Sequence, residues 1–235
     1  MKKTKVGLLG LGRTGKVVAE SLFHDRKFNF VFAVKRNHCK PDDYPFGVET
    51  RESLPALIKE FTPEIIIDFT HPDATVENVK LMKKDMGIVI ATTGFTPNQL
   101  TNLKRITKSK KIKILYAPNI SDGINITMEA CKTIHKLWQN ADIEIIEQHF
   151  KGKKDMPSGT AKKIAKLFNK SVVTHSVRAG GIVGIHQIIF AKDNQKIVIE
   201  HHSFSRKVFA EATKRAVKWL DKQPNGYYEI SEMYQ

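Results

Sequence analysis

The segment 147–161, EQHFKGKKDMPSGTA, combines cationic side chains with the start of a helix. His149 is the one side-chain type whose unperturbed pKa lies near neutrality, and Lys153 adds a positive charge four residues later. Apolar residues recur at helical spacing after Pro-Ser-Gly-Thr, which predicts a helix there. First-turn amides of a helix lack internal partners and attract anions. The residues that would take a carboxylate are Ser158, Gly159 and Thr160. The segment therefore predicts acid chemistry on an anionic substrate.

The same residues also suit an ordinary entry into a helix. Ser158 or Thr160 would serve as a cap, and the lysines would face solvent. This segment alone favours neither interpretation, so the elements around it must decide.

Length and composition limit the class of protein. The chain has 235 residues, of which 41% are hydrophobic, enough for one large or two modest domains with a buried core. No apolar run approaches the roughly 18 residues of a membrane span. Cys39 and Cys131 show neither metal-ligand spacing nor a disulfide framework. We therefore expect a cytoplasmic protein with reduced thiols, no bound metal and no membrane partner.

The formal net charge of +15 raises the alternative of a nucleic-acid-binding or redox-sensing protein. Lysines recur in most helix-like segments, but no zinc finger, RNA-binding motif or heptad pattern accompanies them. A basic surface or an acidic small substrate explains the charge equally well. We expect no nucleic-acid partner, and salt-dependent binding of DNA or RNA would test the alternative.

A glycine-rich turn follows the first predicted strand, residues 5–9, and leads into a helix. In this strand–turn–helix frame, Gly10 makes the tight turn, Gly12 lets a pyrophosphate approach, and Gly15 lets helix and strand pack closely. A glycine turn without a ligand is the alternative. The pattern predicts a dinucleotide-binding site.

The next predicted strand, residues 28–34, is followed by Lys35 and Arg36. NAD-specific sites usually have an acidic residue here, whereas a cation accommodates the 2′-phosphate of NADP. Cations therefore favour NADPH, with NADH as the alternative.

Further buried strands are predicted at 64–69, 87–91 and 113–118, and each ends in a polar turn. A helix-like stretch at 73–86 separates the first two of these strands. Ligands of open parallel sheets bind at the carboxyl ends of the strands. For Thr92 and Thr93, ordinary turn chemistry is the alternative to a role at the site. The loops that we expect to converge on one crevice are 10–15, 35–37, 69–72, 91–94 and 117–120.

The pattern then changes to a long helical segment, 124–140, followed by consecutive strands without helices between them, which implies a mixed or antiparallel sheet. A final helix, 207–220, and a short tail return to the first domain. The sequence thus predicts an α/β protein with a Rossmann-type dinucleotide-binding domain at 1–120 and 207–235. An α+β substrate-binding and oligomerisation domain with a mixed sheet occupies 121–206.

The segment EQHFKGKKDMPSGTA resembles the signature E-x-H-H-x-x-K-x-D-x-P-S-G-T-A of the dihydrodipicolinate reductase family of lysine biosynthesis. Further motifs, GLGRTG, DFTHP, ATTG, APNISDGIN and RAGGIVGIH, resemble those of the same family in the same order, so that the resemblance covers essentially the whole chain. It implies NAD(P)H-dependent reduction of a cyclic imine dicarboxylate, 4-hydroxy-tetrahydrodipicolinate, to tetrahydrodipicolinate. It also implies a homotetramer built through the second domain's sheet.

Site residues follow from the resemblance position by position. His149 and Lys153 are the implied proton-handling pair, with Lys153 as donor and His149 polarising or relaying. The implied substrate-binding residues are Phe150, Ser158, Gly159 and Thr160. The cofactor-binding residues that the resemblance implies, on the glycine turn and the strand-end loops, are Gly10, Gly12, Arg13, Thr14, Gly15, Lys35, Arg36, Phe69, Thr70, Ala91, Thr92, Thr93, Ala117, Pro118, Asn119 and Ile120.

Four features depart from the family pattern. Phe150 stands where many members have a second, substrate-binding histidine, Ala91 replaces a glycine, and Ile185 replaces a glutamate. The glycine loop is one residue shorter than the commonest form, G-x-x-G-x-x-G. A related dehydrogenase acting on another small imine is therefore the alternative enzyme. His186 and His201 lie in strand-like runs, and we expect structural roles for both.

Overall fold

The computed structural model describes residues 3–36 and 44–234. Asn37 and Cys39, which the sequence places near the cofactor and among the reduced thiols, lie outside the described residues. The chain divides into two compact units, Met1–Ile120 with Phe209–Gln235 and Ser121–Val208. Strands and helices are numbered along the whole chain.

The first unit contains a seven-stranded sheet in the order β11-β6-β5-β4-β1-β2-β3. All neighbouring strands in it are parallel. The strands are β1 (Thr4–Leu9), β2 (Phe28–Lys35), β3 (Val48–Thr50), β4 (Ile65–Asp68), β5 (Gly87–Ile90), β6 (Lys113–Tyr116) and β11 (Gly226–Glu229). The strand order reverses at β1 and β4, which makes their carboxyl ends the expected ligand position.

Five helices cover this sheet: α1 (Arg13–Phe23), α2 (Leu54–Phe61), α3 (Pro72–Leu81), α4 (Pro97–Lys110) and α7 (Lys207–Asp221). Alternate strand residues point to opposite faces, so each central strand supplies two apolar cores. Leu8 and Ile67 pack with α1 and α7 on one face. Leu9 and Ile66 pack with α2, α3 and α4 on the other. Burial on both faces accounts for the continuous apolar runs of these strands.

The structure differs from the sequence-based expectation at three places. The predicted tail contains β11, a four-residue strand that pairs in parallel with β6. The third helix ends at Leu81 rather than near residue 86, because a turn follows in which Asp85 has a φ of 67°. Residues 48–61, to which the sequence patterns assign no element, form β3, a short 3₁₀ turn and α2.

The second unit is a mixed four-stranded sheet with helices on one face, ordered β10-β9-β7-β8. Its elements are α5 (Asp122–Leu137), β7 (Asp142–His149), α6 (Gly159–Ala165), β8 (Val173–Arg178), β9 (Ile185–Lys192) and β10 (Gln195–His202). Strand β7 is parallel to β8 and antiparallel to β9, and β9 is antiparallel to β10. Apolar residues of β7 and β9 pack with α5 and α6 in one core.

Among the residues that the structure describes, no helix combines the length and the apolar character needed to cross a bilayer.

Candidate functional site

The glycine turn after β1 can be built only with glycine at two positions. Gly10 has a φ of 93°, and a Cβ there would lie 2.4 Å from the carbonyl oxygen of Phe69. A Cβ on Gly15 would lie 1.9 Å from the carbonyl oxygen of Gly10. Gly12, in contrast, is exposed, and a Cβ on it would meet nothing within 4 Å. The turn is therefore tight on its inner side and accessible on its outer side.

Helix α1 begins directly after Gly12, and no side chain caps its start. Its first-turn amides, those of Arg13, Thr14 and Gly15, carry the positive end of the helix dipole. Uncapped amides beside an accessible glycine suit a pyrophosphate, so the residues present fit a dinucleotide.

Backbone hydrogen bonds place the predicted loops next to one another at the carboxyl edge of the sheet. Each loop amide bonds to the carbonyl at the end of the adjacent strand, at 2.8 or 2.9 Å. The donor and acceptor pairs are Gly10 with Val34, Phe69 with Leu9, Ala91 with Asp68, and Ala117 with Ile90. The loops expected from the sequence to form one crevice in this unit do start side by side.

Asp68, a residue absent from the predicted site, organises two of these loops. Its side chain is fully buried at the end of β4. Its Oδ1 accepts hydrogen bonds from the hydroxyls of Thr70, Thr75 and Thr92 at 2.7, 3.0 and 2.7 Å. It also accepts one from the Thr70 amide at 3.0 Å. The Thr92 hydroxyl thus serves the loop structure, whereas Thr93 is exposed and available to a ligand.

The other predicted cofactor residues differ in accessibility. Lys35 is half-buried and Arg36 exposed just beyond β2. Ala117 and Ile120 pack in the core of the first unit, so only their backbone could reach a ligand. Pro118 and Asn119, between them, are half-buried.

In the second unit, strand alternation brings two polar residues onto the covered face of β7. Ile143, Ile145, Glu147 and His149 are all buried, and the residues between them are more exposed. The Oε2 atom of Glu147 lies 2.5 Å from Nδ1 of His149. Because residues two apart on a strand share a face, the strand itself brings this carboxylate and imidazole together.

Besides His149, two groups contact the fully buried Glu147 carboxylate. Oε1 accepts hydrogen bonds from Nη2 of Arg178 at 2.6 Å and from the Ser158 amide at 3.2 Å. Burial alone would raise the pKa of Glu147, but hydrogen bonds from Arg178 and His149, together with that from the amide, lower it to about 2. Glu147 is an anion across the physiological pH range.

Two histidines beside this carboxylate are kept neutral. Burial lowers the pKa of His149 despite the adjacent Glu147. Burial, with the neighbouring His149 and His201, lowers the pKa of His186 to about 3. The rings of His149 and His186 lie 5.2 Å apart, and Nε2 of His186 is 3.3 Å from the Ser158 hydroxyl. His186 thus contacts the predicted substrate segment. From the sequence we expected only a structural role for this residue, without this contact.

The loop between β7 and α6 carries the remaining predicted residues. Nζ of Lys153 lies 2.7 Å from Oδ1 of Asp155, whose Oδ2 accepts a hydrogen bond from the Gly159 amide at 3.3 Å. Gly159 is exposed, and a Cβ on it would meet nothing within 4 Å. Thr160 and Phe150 are half-buried. Structure and sequence therefore agree that cations and an accessible glycine occur together here.

Metal-ligating atoms of Glu147, His149 and His186 lie within 4.8 Å of one another, the one such group in the described residues. Arg178 already neutralises the carboxylate at 2.6 Å, and Lys153 adds positive potential. The cluster is accordingly a hydrogen-bonded network whose charge balance opposes a cation.

Sequence reasoning missed Glu147, Arg178 and Asp155 as parts of this cluster. The period-two alternation Ile143, Ile145, Glu147, His149 was a readable signal for a buried polar pair. Arg178 offered no comparable signal, because it meets Glu147 only through the pairing of β7 with β8.

A parallel sheet with a glycine turn at its reversal point, together with a separate α+β unit carrying a histidine–lysine–carboxylate cluster, defines a two-domain oxidoreductase of the Rossmann class. Family comparison makes the assignment specific. The model of the dihydrodipicolinate reductase N-terminus matches residues 4–120, and that of the C-terminus matches residues 123–234. The chain belongs to the dihydrodipicolinate reductase family.

Individual relatives agree. The chain is 32% identical to the 4-hydroxy-tetrahydrodipicolinate reductase of Buchnera aphidicola, over 98% of this chain and 97% of the relative. It is 33% identical to that of Methanocorpusculum labreanum, over 95% of each. A dipicolinate-bound dihydrodipicolinate reductase from Paenisporosarcina has a similar fold, with a TM-score of 0.84, 23% identity and coverage of 97% and 98%.

Proposed function

We propose that the chain reduces 4-hydroxy-tetrahydrodipicolinate to tetrahydrodipicolinate, with a pyridine nucleotide as hydride donor and loss of water. Full-length similarity to reductases named for this substrate supports the reaction. The observation that carries the proposal is the buried Glu147–His149 pair in the segment that also holds Lys153.

Each residue of this segment has a distinct proposed role. When bound, the nicotinamide supplies the hydride. Lys153 holds a proton on its Nζ and delivers it to the reduced ring, so that one hydride and one proton are added in all. His149 is neutral, and its Nε2 lone pair orients the ammonium of Lys153 or relays its proton. A positive charge beside the ring stabilises the anionic character that develops there.

Substrate binding is assigned to the start of α6 and its flanks. Gly159 leaves space for a carboxylate, and Thr160 adds a hydroxyl. Phe150, half-buried, offers an apolar surface where many family members have a histidine. The substrate's second carboxylate is matched by the surrounding lysines, since a dicarboxylate needs more than one cation.

For the cofactor, we assign the pyrophosphate to Gly12 and the first-turn amides of α1, and the ribose phosphate to Lys35 and Arg36. NADPH is therefore the preferred donor, with NADH as the alternative. Replacing Arg36 by Gln should raise KM for NADPH about tenfold and leave KM for NADH unchanged, so NADH oxidation serves as the internal control. Equal effects on both cofactors would remove the phosphate assignment.

We further propose a homotetramer assembled through the uncovered face of the second unit's sheet. Val173, Val177 and Val198 on that face are 57%, 40% and 41% exposed. Several apolar side chains exposed to water on one sheet face are unusual for a monomer. Light scattering should give four times the chain mass. A cytoplasmic location and the absence of a nucleic-acid partner stay predictions.

The reaction itself is tested by NADPH oxidation, with substrate generated in the cuvette from pyruvate and aspartate semialdehyde by a dihydrodipicolinate synthase. Lys153→Ala should lower kcat about 100-fold or more while NADPH affinity is unchanged. The matched control is Lys154→Ala, which removes an exposed lysine one residue away and should change KM for the substrate but not kcat. Absence of wild-type turnover despite NADPH binding would reject this substrate in favour of a related imine.

A further inference from the structure

The carboxylate of Glu147 joins three parts of the second unit. It contacts His149 on its own strand, Arg178 at the end of β8, and the amide of Ser158 immediately before α6. Both carboxylate oxygens accept hydrogen bonds, and the side chain has no exposed surface. A carboxylate in this position sets the geometry of the histidine and of the substrate segment together.

The contact with His149 also determines which ring nitrogen carries the proton. An ionised carboxylate only accepts hydrogen bonds, so Nδ1 of His149 must donate to Oε2 of Glu147. In the neutral ring the proton is then absent from Nε2. Among the described residues Nε2 has no hydrogen-bond partner, and it faces Gly184, where a Cβ would lie only 3.2 Å away.

We propose that Glu147 is a positioning residue of the reductase, which fixes His149 as the Nδ1–H tautomer and directs the unprotonated Nε2 to the proton donor. The proposal rests on the function proposed above. Glu147 touches neither substrate nor cofactor in this scheme and acts only through His149 and the Ser158 amide.

The charged groups around His149 fit this assignment. The positive charges of Lys153, on the loop after β7, and of Arg178, on β8, act on the ring, and neutral His186 packs against it from β9. The two cations disfavour a proton on Nε2, while Arg178 also holds Glu147 in place. Asp155 pairs with Lys153 and limits the repulsion between Lys153 and a protonated His149. Only the Glu147 carboxylate favours a proton on the ring, and it favours it at Nδ1.

The test combines the isosteric variant Glu147→Gln with a matched control. Glu144→Gln removes the same charge from the same strand, where Glu144 lies 2.9 Å from Nε2 of His175 on the exposed face. For Glu147→Gln we expect kcat to fall about 10- to 100-fold with unchanged NADPH affinity. Glu144→Gln should keep wild-type kcat, once light scattering shows that its mass is unchanged.

A second readout does not depend on the reaction. In ¹⁵N-histidine-labelled protein, long-range ¹H–¹⁵N spectra distinguish protonated from unprotonated ring nitrogens, and a His149→Asn variant identifies the signals. Wild type should show Nδ1 protonated, and Glu147→Gln should show a tautomer mixture, because an amide can donate or accept.

The outcomes are separable. A wild-type His149 protonated at Nε2, or full kcat in Glu147→Gln, would overturn the positioning role. If Glu147→Gln does not fold, two other measurements decide the question. They are the wild-type spectrum and the kcat of Glu147→Asp, which should be lower than that of wild type because the aspartate side chain is shorter. A wild type without turnover that still shows the Nδ1–H tautomer would reject the proposed reaction and leave the tautomer assignment supported.

Discussion

Two glutamate–histidine pairs with the same spacing lie on one sheet and differ in almost everything else. Glu147 and His149 occupy the covered face of β7, with side chains 0% and 11% exposed. Glu200 and His202 occupy the uncovered face of β10, with side chains 35% and 41% exposed. The additional partners of Glu147 are the Arg178 guanidinium and the Ser158 amide, whereas that of Glu200 is the Gln187 amide.

The difference shows that the pattern Glu-x-His specifies contact but not chemistry. In both pairs the side chains point the same way because strand residues two apart share a face. Only the covered pair has its carboxylate fixed by a buried cation and its imidazole kept neutral by burial. In the single chain, solvent around the exposed pair screens the interaction and leaves both side chains free to move apart.

The largest effect should come from removing the cation of the covered pair. Arg178→Leu leaves the Glu147 carboxylate buried without its guanidinium and should lower the free energy of unfolding by about 3–5 kcal/mol. Urea denaturation at pH 7 measures this. The double variant Arg178→Leu with Glu147→Gln should regain part of the loss, because a neutral amide is less costly to bury. A loss below 1 kcal/mol would show that Arg178 does not compensate a buried charge.

How much of this could be read from the sequence differs between the two units. The parallel sheet and its glycine turn were predictable, because each strand is a continuous apolar run and each motif directly follows a strand. β11 was missed, since four residues with two tyrosines carry too little periodicity. Asp68 was missed because its partners, from Thr70 to Thr92, come together only when β4 and β5 are adjacent.

For the second unit, the loop with His149 and Lys153 was legible as a motif, but its network was not. Arg178 lies 31 residues from Glu147, and their contact depends on the register in which His149 is paired with Arg178 across β7 and β8. Register follows from burial of the sheet's covered face, which local spacing does not encode.

The pH dependence of stability should depend on the buried histidine His186. The pKa of His186 falls from 6.5 to about 3 on folding, so the unfolded chain binds the extra proton below pH 6.5. Stability should therefore decline as pH falls from about 6.5, by about 1.4 kcal/mol per pH unit for this histidine. Glu147, with a pKa of about 2 instead of 4.5, adds a further loss between those values.

The variant His186→Gln should reduce this slope by about 1.4 kcal/mol per pH unit, the contribution of one proton. His186 faces Glu147 and His149 on β7, His201 on β10, and Lys153, so the slope also contains the smaller contribution of His149. Ile189→Val, on the uncovered face of the same strand, changes no titratable group and should leave the slope as in wild type. Urea midpoints measured from pH 7 to pH 4.5 provide the comparison. Identical slopes in both variants would mean that burial does not keep His186 neutral.

A smaller effect is expected from filling the space beside His149. Gly184→Ala places a methyl group 3.2 Å from Nε2 of His149, closer than ordinary contact, so the ring must shift by a few tenths of an ångström. We expect kcat to fall about tenfold and stability to fall by about 1 kcal/mol. Gly181→Ala, in the same segment but with nothing within 4 Å, should change neither. Equal kcat in the two variants would show that Nε2 needs no access.

The smallest effect should come from the exposed pair. Glu200→Gln removes a carboxylate that His202 and Gln187 stabilise, and these hydrogen bonds lower its pKa in spite of its exposure. In protein diluted to the single chain, screening by solvent limits the change in unfolding free energy to less than about 0.5 kcal/mol. A measured loss above about 1.5 kcal/mol would contradict the comparison on which this expectation rests. A larger loss at high protein concentration that disappears on dilution would instead support an interface of the proposed tetramer on the face bearing Val198.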